Sequence, residues 1–267
     1  MQPDKVKLPD TGIRKGRVSN ILLIFLTPAA VFALWQIFSN AGYINPSVLP
    51  SPKTIWLTML GMVESGELFQ HLGVSLLRVV QGYAVGCVAG VAIGILMGLV
   101  GKIEKALLLI FGIVRPVPII AWVPILILWL GIGEVSKVTV IAFGTFFPVL
   151  LNTIHGIQTT DRRFLEVSRV LEKNRKTVLL KVVFPSALPA IFTGMRIGLG
   201  LAWMSVVGAE LIAASSGIGY LISYAGQLSQ PDVMLVGVFS IGVVGLLIDI
   251  ALRRLERWAL KWNVKQE

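Results

Sequence analysis

Two histidines, His71 and His155, one cysteine, Cys87, and a few charges inside apolar runs are the side chains with which this chain could do chemistry. The histidines lie far apart and have no Cys or acidic neighbours at metal-ligand spacing, so they make no metal set. Cys87 stands alone in an apolar run and reads as a small buried apolar residue. No nucleophile and base fall into a catalytic constellation. Gly98-Leu-Val-Gly101-Lys102 lacks both the spacing and the following hydroxyl of an ATP-binding loop. What remains is Arg115, Arg196, Glu210 and Asp249, charges that in a bilayer mark functional positions by default. Arg115, beside Pro116 and Pro118, could attract an anion, and it would fit an inter-helix bond equally well. Arg196, in the inner part of its apolar run, could do the same, although snorkelling or pairing suits it as well. Glu210 and Asp249 suit structural partners better than ligands.

The elements that carry these residues are membrane spans. Of the 267 residues 55% are hydrophobic and only 14% charged, against about 25% charged in a soluble domain, and the mean hydropathy is +0.81. The apolar residues gather into runs at about 20–38, 74–100, 105–131, 136–157, 187–213 and 233–252, each near the ~20 residues that cross a bilayer. This predicts an all-α polytopic membrane protein of about six transmembrane helices. The first run has no small-x-small cleavage site and continues through Trp35 and Phe38, so it reads as an uncleaved span rather than a signal peptide.

The net charge of +10 could point to nucleic acid, but no basic face with interleaved aromatics exists, so no nucleic-acid partner is expected. Nineteen of the 24 Lys and Arg lie in the N-terminal tail, the segment after span two, the 158–186 loop and the C-terminal tail. The alternate loops hold Lys53 and Lys137, while Arg78, Arg115 and Arg196 fall within or at the edge of spans. The positive-inside rule then places both termini in the cytoplasm of a bacterial inner-membrane protein.

Between spans one and two, Leu49-Pro50-Ser51-Pro52 forbids helix, and Lys53–Val63 can form a short surface helix with Ile55, Trp56, Met59 and Leu60 on one face. That helix could sit in the interface or dock a partner. Glycines 82, 86, 90, 94 and 98 make a groove along span two that lets another backbone approach. In span three, Arg115-Pro116-Val117-Pro118 and Pro124 are expected to interrupt the helix, a break tolerated where it is buried or lines a path. In the cytoplasmic loop, Phe164, Leu165, Ser168, Leu171 and Arg175 fall at helical spacing. They predict an amphipathic helix lying along the membrane face over 161–176. A second helix, 176–184, is expected to end before Pro185. A helix held by spans on both sides is a lever.

The loop resembles the EAA signature of ABC-importer permeases: Glu166-Val167-Ser168, then Pro185 and Pro189 at the family's distance. The family's glycine position holds Glu172, which means that the loop either stays helical through 172 or meets its partner differently. Further motifs resemble the nitrate, sulfonate, taurine and bicarbonate permeases in order along the chain. They include Leu49-Pro-Ser-Pro52, Ser65-Gly-Glu-Leu68, Ser75-Leu-Leu-Arg78, Arg115-Pro-Val-Pro118, Leu128-Trp-Leu-Gly-Ile-Gly133 and Phe146-Phe-Pro148. Gly194-Met-Arg196, Ala209-Glu210, Gly217-Ile-Gly-Tyr220 and Leu255-Glu-Arg257 continue the series.

The resemblance implies a type I ABC-importer transmembrane domain whose loop is the coupling helix, with Glu166, Ser168, Arg169, Leu171 and Glu172 meeting the ATPase. It implies a permease homodimer, two ABC ATPase subunits that carry the ATP and Mg, and an extracytoplasmic solute-binding protein delivering a small anion. No cofactor is expected on this chain. Arg115, Pro116, Pro118 and Arg196 are the candidates for the translocation pathway. The organisation expected is a tail at 1–19, a first span and outer segment at 20–70, a core at 71–255 and a tail at 256–267. A self-sufficient secondary transporter would need acidic groups mid-span for a coupling ion, and spans one to five show none. A membrane enzyme would need the catalytic constellation that is missing.

Overall fold

The computed structural model describes the backbone of residues 17–260, with side chains from residue 26. Lys5, Lys7, Arg14, Lys15, Lys261 and Lys265 of the basic tails lie outside the described residues. The elements are α1 (Arg17–Asn40), α2 (Pro52–Glu64), α3 (Glu67–Leu99), α4 (Gly101–Val114), α5 (Ile119–Leu130) and α6 (Glu134–Gln158). They continue with α7 (Arg162–Val170), α8 (Arg175–Val178), a π-helical segment (Leu179–Val183), α9 (Phe184–Ala213), α10 (Ile218–Gln227) and α11 (Pro231–Ala259). Among the described residues α3, α6, the continuous α8–α9 run and α11 are long and apolar enough to cross a bilayer, and α4 with α5 makes a fifth, bent crossing. The 24-residue α1 stands where the sequence predicts the first span. The helix expected after Pro52 is α2, capped by the Ser51 hydroxyl, which accepts from the Thr54 N–H. Its packed side carries Ile55, Met59 and Met62, while Trp56 faces outward.

The glycine groove sets the centre of the bundle. Gly82, Gly86, Gly90, Gly94 and Gly98 of α3 meet Ile141, Thr145, Val149, Thr153 and Ile157 of α6, one glycine to one side chain. A Cβ on Gly86 would stand 2.6 Å from the Ala142 carbonyl oxygen, and one on Gly94 would stand 2.7 Å from the Thr153 Cβ. Any side chain there drives the two helices apart. Thr145 and Thr153 can face this apolar seam because each hydroxyl donates to the carbonyl four residues back, at 3.0 and 2.7 Å. Both series rise together, so α3 and α6 are parallel. On the other side of α6, Gly144 meets Leu201 and Ser205 while Gly156 meets Ala187 and Ala190, so α9 runs antiparallel to α6. The Trp203 Nε1–H donates to the Ile241 carbonyl at 3.0 Å, and Arg196 pairs with Glu256, so α11 is antiparallel to α9.

This register decides what the bent pair does. The chain leaves α3 at the Gly98–Ile157 level and re-enters α6 at Glu134, which is bound to Arg78 at 2.6 Å. Those levels are twenty residues apart on α3, about 30 Å. Although α4 and α5 bend by 99°, together they return the chain across the full bundle. They form a broken span and not a re-entrant loop. The break is confined to residues 115–118. Contrary to the expectation from sequence, Pro124 does not interrupt the helix but sits inside α5, where it removes one donor without ending the turns on either side.

Two further expectations are corrected at the loop. The predicted helix over 161–176 is two pieces, α7 and α8, with a turn between them. The helix expected to end before Pro185 does not end there: α8, the π segment and α9 form one run through Pro185 and Pro189. In the π segment the Phe184 N–H reaches back five residues, to the Leu179 carbonyl. That wider turn gives the Pro185 ring room where an α-turn would press it against the carbonyl four residues earlier.

Candidate functional site

At one end of the bundle α7 lies across the gap between α6 and α9. The Asp161 carboxylate caps it, accepting from the Arg163 N–H at 2.9 Å. Leu165 packs into a cluster with Ile157, Val183, Ala187 and Ile191, and Ser168 is buried with its hydroxyl on the Phe164 carbonyl. Glu166, Arg169, Leu171 and Glu172 point away from the bundle and are exposed. Phe164, Val167 and Leu171 leave an apolar strip uncovered, at 57, 55 and 58% exposure. Of the five coupling residues expected from sequence, Ser168 is buried and the other four face outward.

Glu172 adopts φ +49°. Its N–H bonds the Arg169 carbonyl and the Lys173 N–H bonds the Ser168 carbonyl, both at 3.0 Å. This pair of bonds is the turn that glycine usually closes at a helix C-terminus. The helix therefore does not continue through 172: the glycine turn is kept, with a side chain held in the left-handed region. That conformation costs a non-glycine residue about 1–2 kcal/mol. Glu172→Gly is thus expected to slow hydrogen exchange of the Lys173 amide about fivefold. Exchange that is unchanged or faster would show that the turn carries no such cost.

Midway along α6 the break at 115–118 faces two cavities. One, of 480 Å³, is lined by Pro116, Pro118, Val140, Met204 and Ser205 among others. The second, of 320 Å³, is lined by Phe147, Leu151, Asn152 and Ile197 among others. Arg115 lines both and has no side-chain partner among the described residues. Arg196 lines neither cavity and pairs with Glu256 of α11, so the structure separates it from Arg115. Asp249 pairs along its own helix with Arg253.

At the opposite end lies a network that sequence reasoning missed. Arg78 of α3 holds Glu134 of α6 through Nε and Nη2, Glu210 of α9 at 2.8 Å through Nη1, and the Ser216 carbonyl at 2.7 Å. Lys137 joins Glu134 at 3.0 Å. The Ser75 hydroxyl donates to Glu210 and accepts from the Ile218 N–H at 2.9 Å, while the Gly219 N–H donates to Glu210. Gly217 (φ +113°) brings its backbone against the Glu210 carboxylate where no Cβ would fit. The only local signals were the charges themselves, since Arg78 and Glu210 are 132 positions apart.

The fold is that of the membrane permeases of ABC importers. A chain of the MetNI methionine ABC transporter superposes with a TM-score of 0.61 at 20% identity, covering 78% of this chain and 98% of that one. The chain belongs to the binding-protein-dependent transport system inner membrane component family, whose profile matches residues 90–261. It is 44% identical to a Bacillus subtilis (strain 168) protein assigned as the aliphatic sulfonates transport permease SsuC, over 95% of this chain and 91% of that one. It is 34% identical to the taurine transport system permease TauC of Escherichia coli (strain K12), over 89 and 88%. The nitrate import permease NrtB of Synechocystis sp. (strain ATCC 27184 / PCC 6803 / Kazusa) is also 34% identical, over 89 and 92%. Within this family the chain falls among the sulfonate, taurine, bicarbonate and nitrate permeases.

Proposed function

We propose that the chain is the translocation subunit of an ATP-driven importer for a small anion, moved by a separate ATPase that grips α7. The observation that carries this is the seat of α7. Leu165 packs it onto the adjoining ends of α6 and α9, Ser168 is buried, and the helix leaves an apolar strip open for a partner. Leu171 belongs to that strip, and Glu166, Arg169 and Glu172 border it. Twelve described Lys and Arg between residues 102 and 257 cluster at this end, whereas the other end holds Lys53 and the ion-paired Arg78 and Lys137. Positive charge is retained on the cytoplasmic side, so α7 faces the ATP supply and both termini are cytoplasmic, in a bacterial inner membrane.

Two copies of the chain, two ATPase subunits carrying ATP and Mg, and an extracytoplasmic solute-binding protein complete the assembly. The cavities at the 115–118 break form part of the path, with Arg115, Pro116 and Pro118 on its wall. Arg196, paired with Glu256, holds α9 to α11 beside it. The relatives' named cargoes, sulfonates, taurine, bicarbonate and nitrate, share an oxyanion, which agrees in sign with an unpaired Arg115. Affinity purification of the chain should bring down an ATPase. Reconstituted liposomes with the binding protein that belongs to the system should then take up its anion only with ATP. Uptake driven by an ion gradient with no ATPase present would overturn the proposal.

A further inference from the structure

We infer that Arg115 is the charge-selecting residue of a two-chamber path, shared by an outer and an inner cavity and handing an anion from one to the other. The inference rests on the translocation role and anionic cargo proposed above and adds to them the residue that selects the charge and the two chambers it serves.

The cavities are stacked along the bundle. The larger is lined from α6 and α9 by Val140, Met204, Ser205 and Gly208, toward the Arg78 end. The smaller is lined by Phe147, Leu151, Asn152 and Ile197, toward the α7 end. Arg115, Val117, Ile119 and Leu201 line both, so they form the septum. Only one of these four has a polar side chain.

The Arg115 side chain is exposed and no described residue supplies it a counter-charge, so at membrane depth its guanidinium is open to a passing anion. Within the break itself, the backbone N–H groups do not answer the need of a passing anion. Pro116 and Pro118 have no N–H, the Arg115 N–H is bonded to the Phe111 carbonyl at 3.0 Å and the Val117 N–H to the Val114 carbonyl at 3.2 Å. In the outer chamber the other polar side chain, Ser205, spends its hydrogen on the Leu201 carbonyl. Arg115 is therefore the only free side-chain donor there among the described residues. In the inner chamber Asn152 commits one N–H to the Pro148 carbonyl at 2.8 Å and keeps a second free. An anion crossing the septum inward stays on Arg115 and gains a neutral donor. α5 begins at Ile119 with no side-chain cap, so its positive end adds to the same potential.

The test reads the sign of that potential without needing the natural cargo. In the assembled permease–ATPase complex with Cys87→Ala, cysteines are placed singly at Met204→Cys in the outer chamber and Leu151→Cys in the inner one. Each is modified in proteoliposomes with the anionic reagent methanethiosulfonate ethylsulfonate and with its trimethylammonium counterpart. The ratio of anionic to cationic rates is expected to fall about tenfold at both positions in Arg115→Gln, to fall further in Arg115→Glu, and to hold in Arg115→Lys. Ratios insensitive to Arg115 at both positions would overturn the inference, and a change at only one would overturn the shared septum. Labelling needs no ATP. Charge-dependent labelling with no ATP-driven uptake would sink the importer proposal alone. ATP-driven uptake with charge-blind labelling would sink this inference alone.

Discussion

Arg78→Ala is expected to lower the unfolding free energy of the chain by about 3–5 kcal/mol, the cost of stranding a buried partner charge. Arg78 is 3% exposed and the Glu210 side chain not at all. Removing the guanidinium leaves Glu210 with hydroxyl and amide donors but no counter-charge, and leaves the Ser216 carbonyl without its donor. The damage spreads because this one side chain ties α3 to α6, to α9 and to the turn before α10. A paired change, Arg78→Leu with Glu210→Leu, removes the stranded charge and should recover part of the loss, the rest remaining because the Gly219 N–H and the Ser216 carbonyl lose their partners. Unfolding in mixed detergent micelles reads both variants. An Arg78→Ala chain within about 1 kcal/mol of the parent would show that water reaches Glu210 and that the network is not the clamp described.

How far the sequence carried these conclusions depended on the range of the signal. The α3 groove was legible because a four-residue glycine repeat is local and admits one physical use. What it could not reveal was the partner, the Ile141–Ile157 edge of α6. The break at 115–118 was legible because two prolines one residue apart remove adjacent donors. Pro124 and Pro185 looked equivalent and were not. One follows a full turn of α5, and the other follows a π-turn set by hydrogen bonding that no residue type announces. Glu172 misled in the other direction, because residue preference speaks for glycine while backbone bonds hold the turn whatever the side chain. The Arg78 network joins residues from four separate stretches, so its charges were visible one at a time and their neighbours were not.

Val167→Asp together with Leu171→Asp is expected to abolish co-purification of the ATPase while leaving insertion and heat stability of the permease intact. Each buried Val or Leu contributes about 1.5–3 kcal/mol. Losing two from the strip on α7 weakens docking by at least about a hundredfold, which titration of the ATPase into solubilised permease measures. Both side chains are more than half exposed, so the fold does not depend on them. Glu166→Lys should keep the ATPase bound more weakly and reduce coupled uptake, because it changes charge at the border of the strip and not its apolar area. On the proposed coupling role, the geometry lets a small surface act on two spans at once. Leu165 passes force on α7 into Ile157 and Ala187, the adjoining ends of α6 and α9. The far ends of the same helices are held by Arg78 through Glu134 and Glu210. In that role, a push at α7 would pivot two spans about a fixed end, in the direction of the Phe147–Leu201 wall around Arg115. If the doubly charged variant binds the ATPase within about threefold of the parent, the strip instead lies in the lipid headgroups, and α7 cannot be where the motor takes hold.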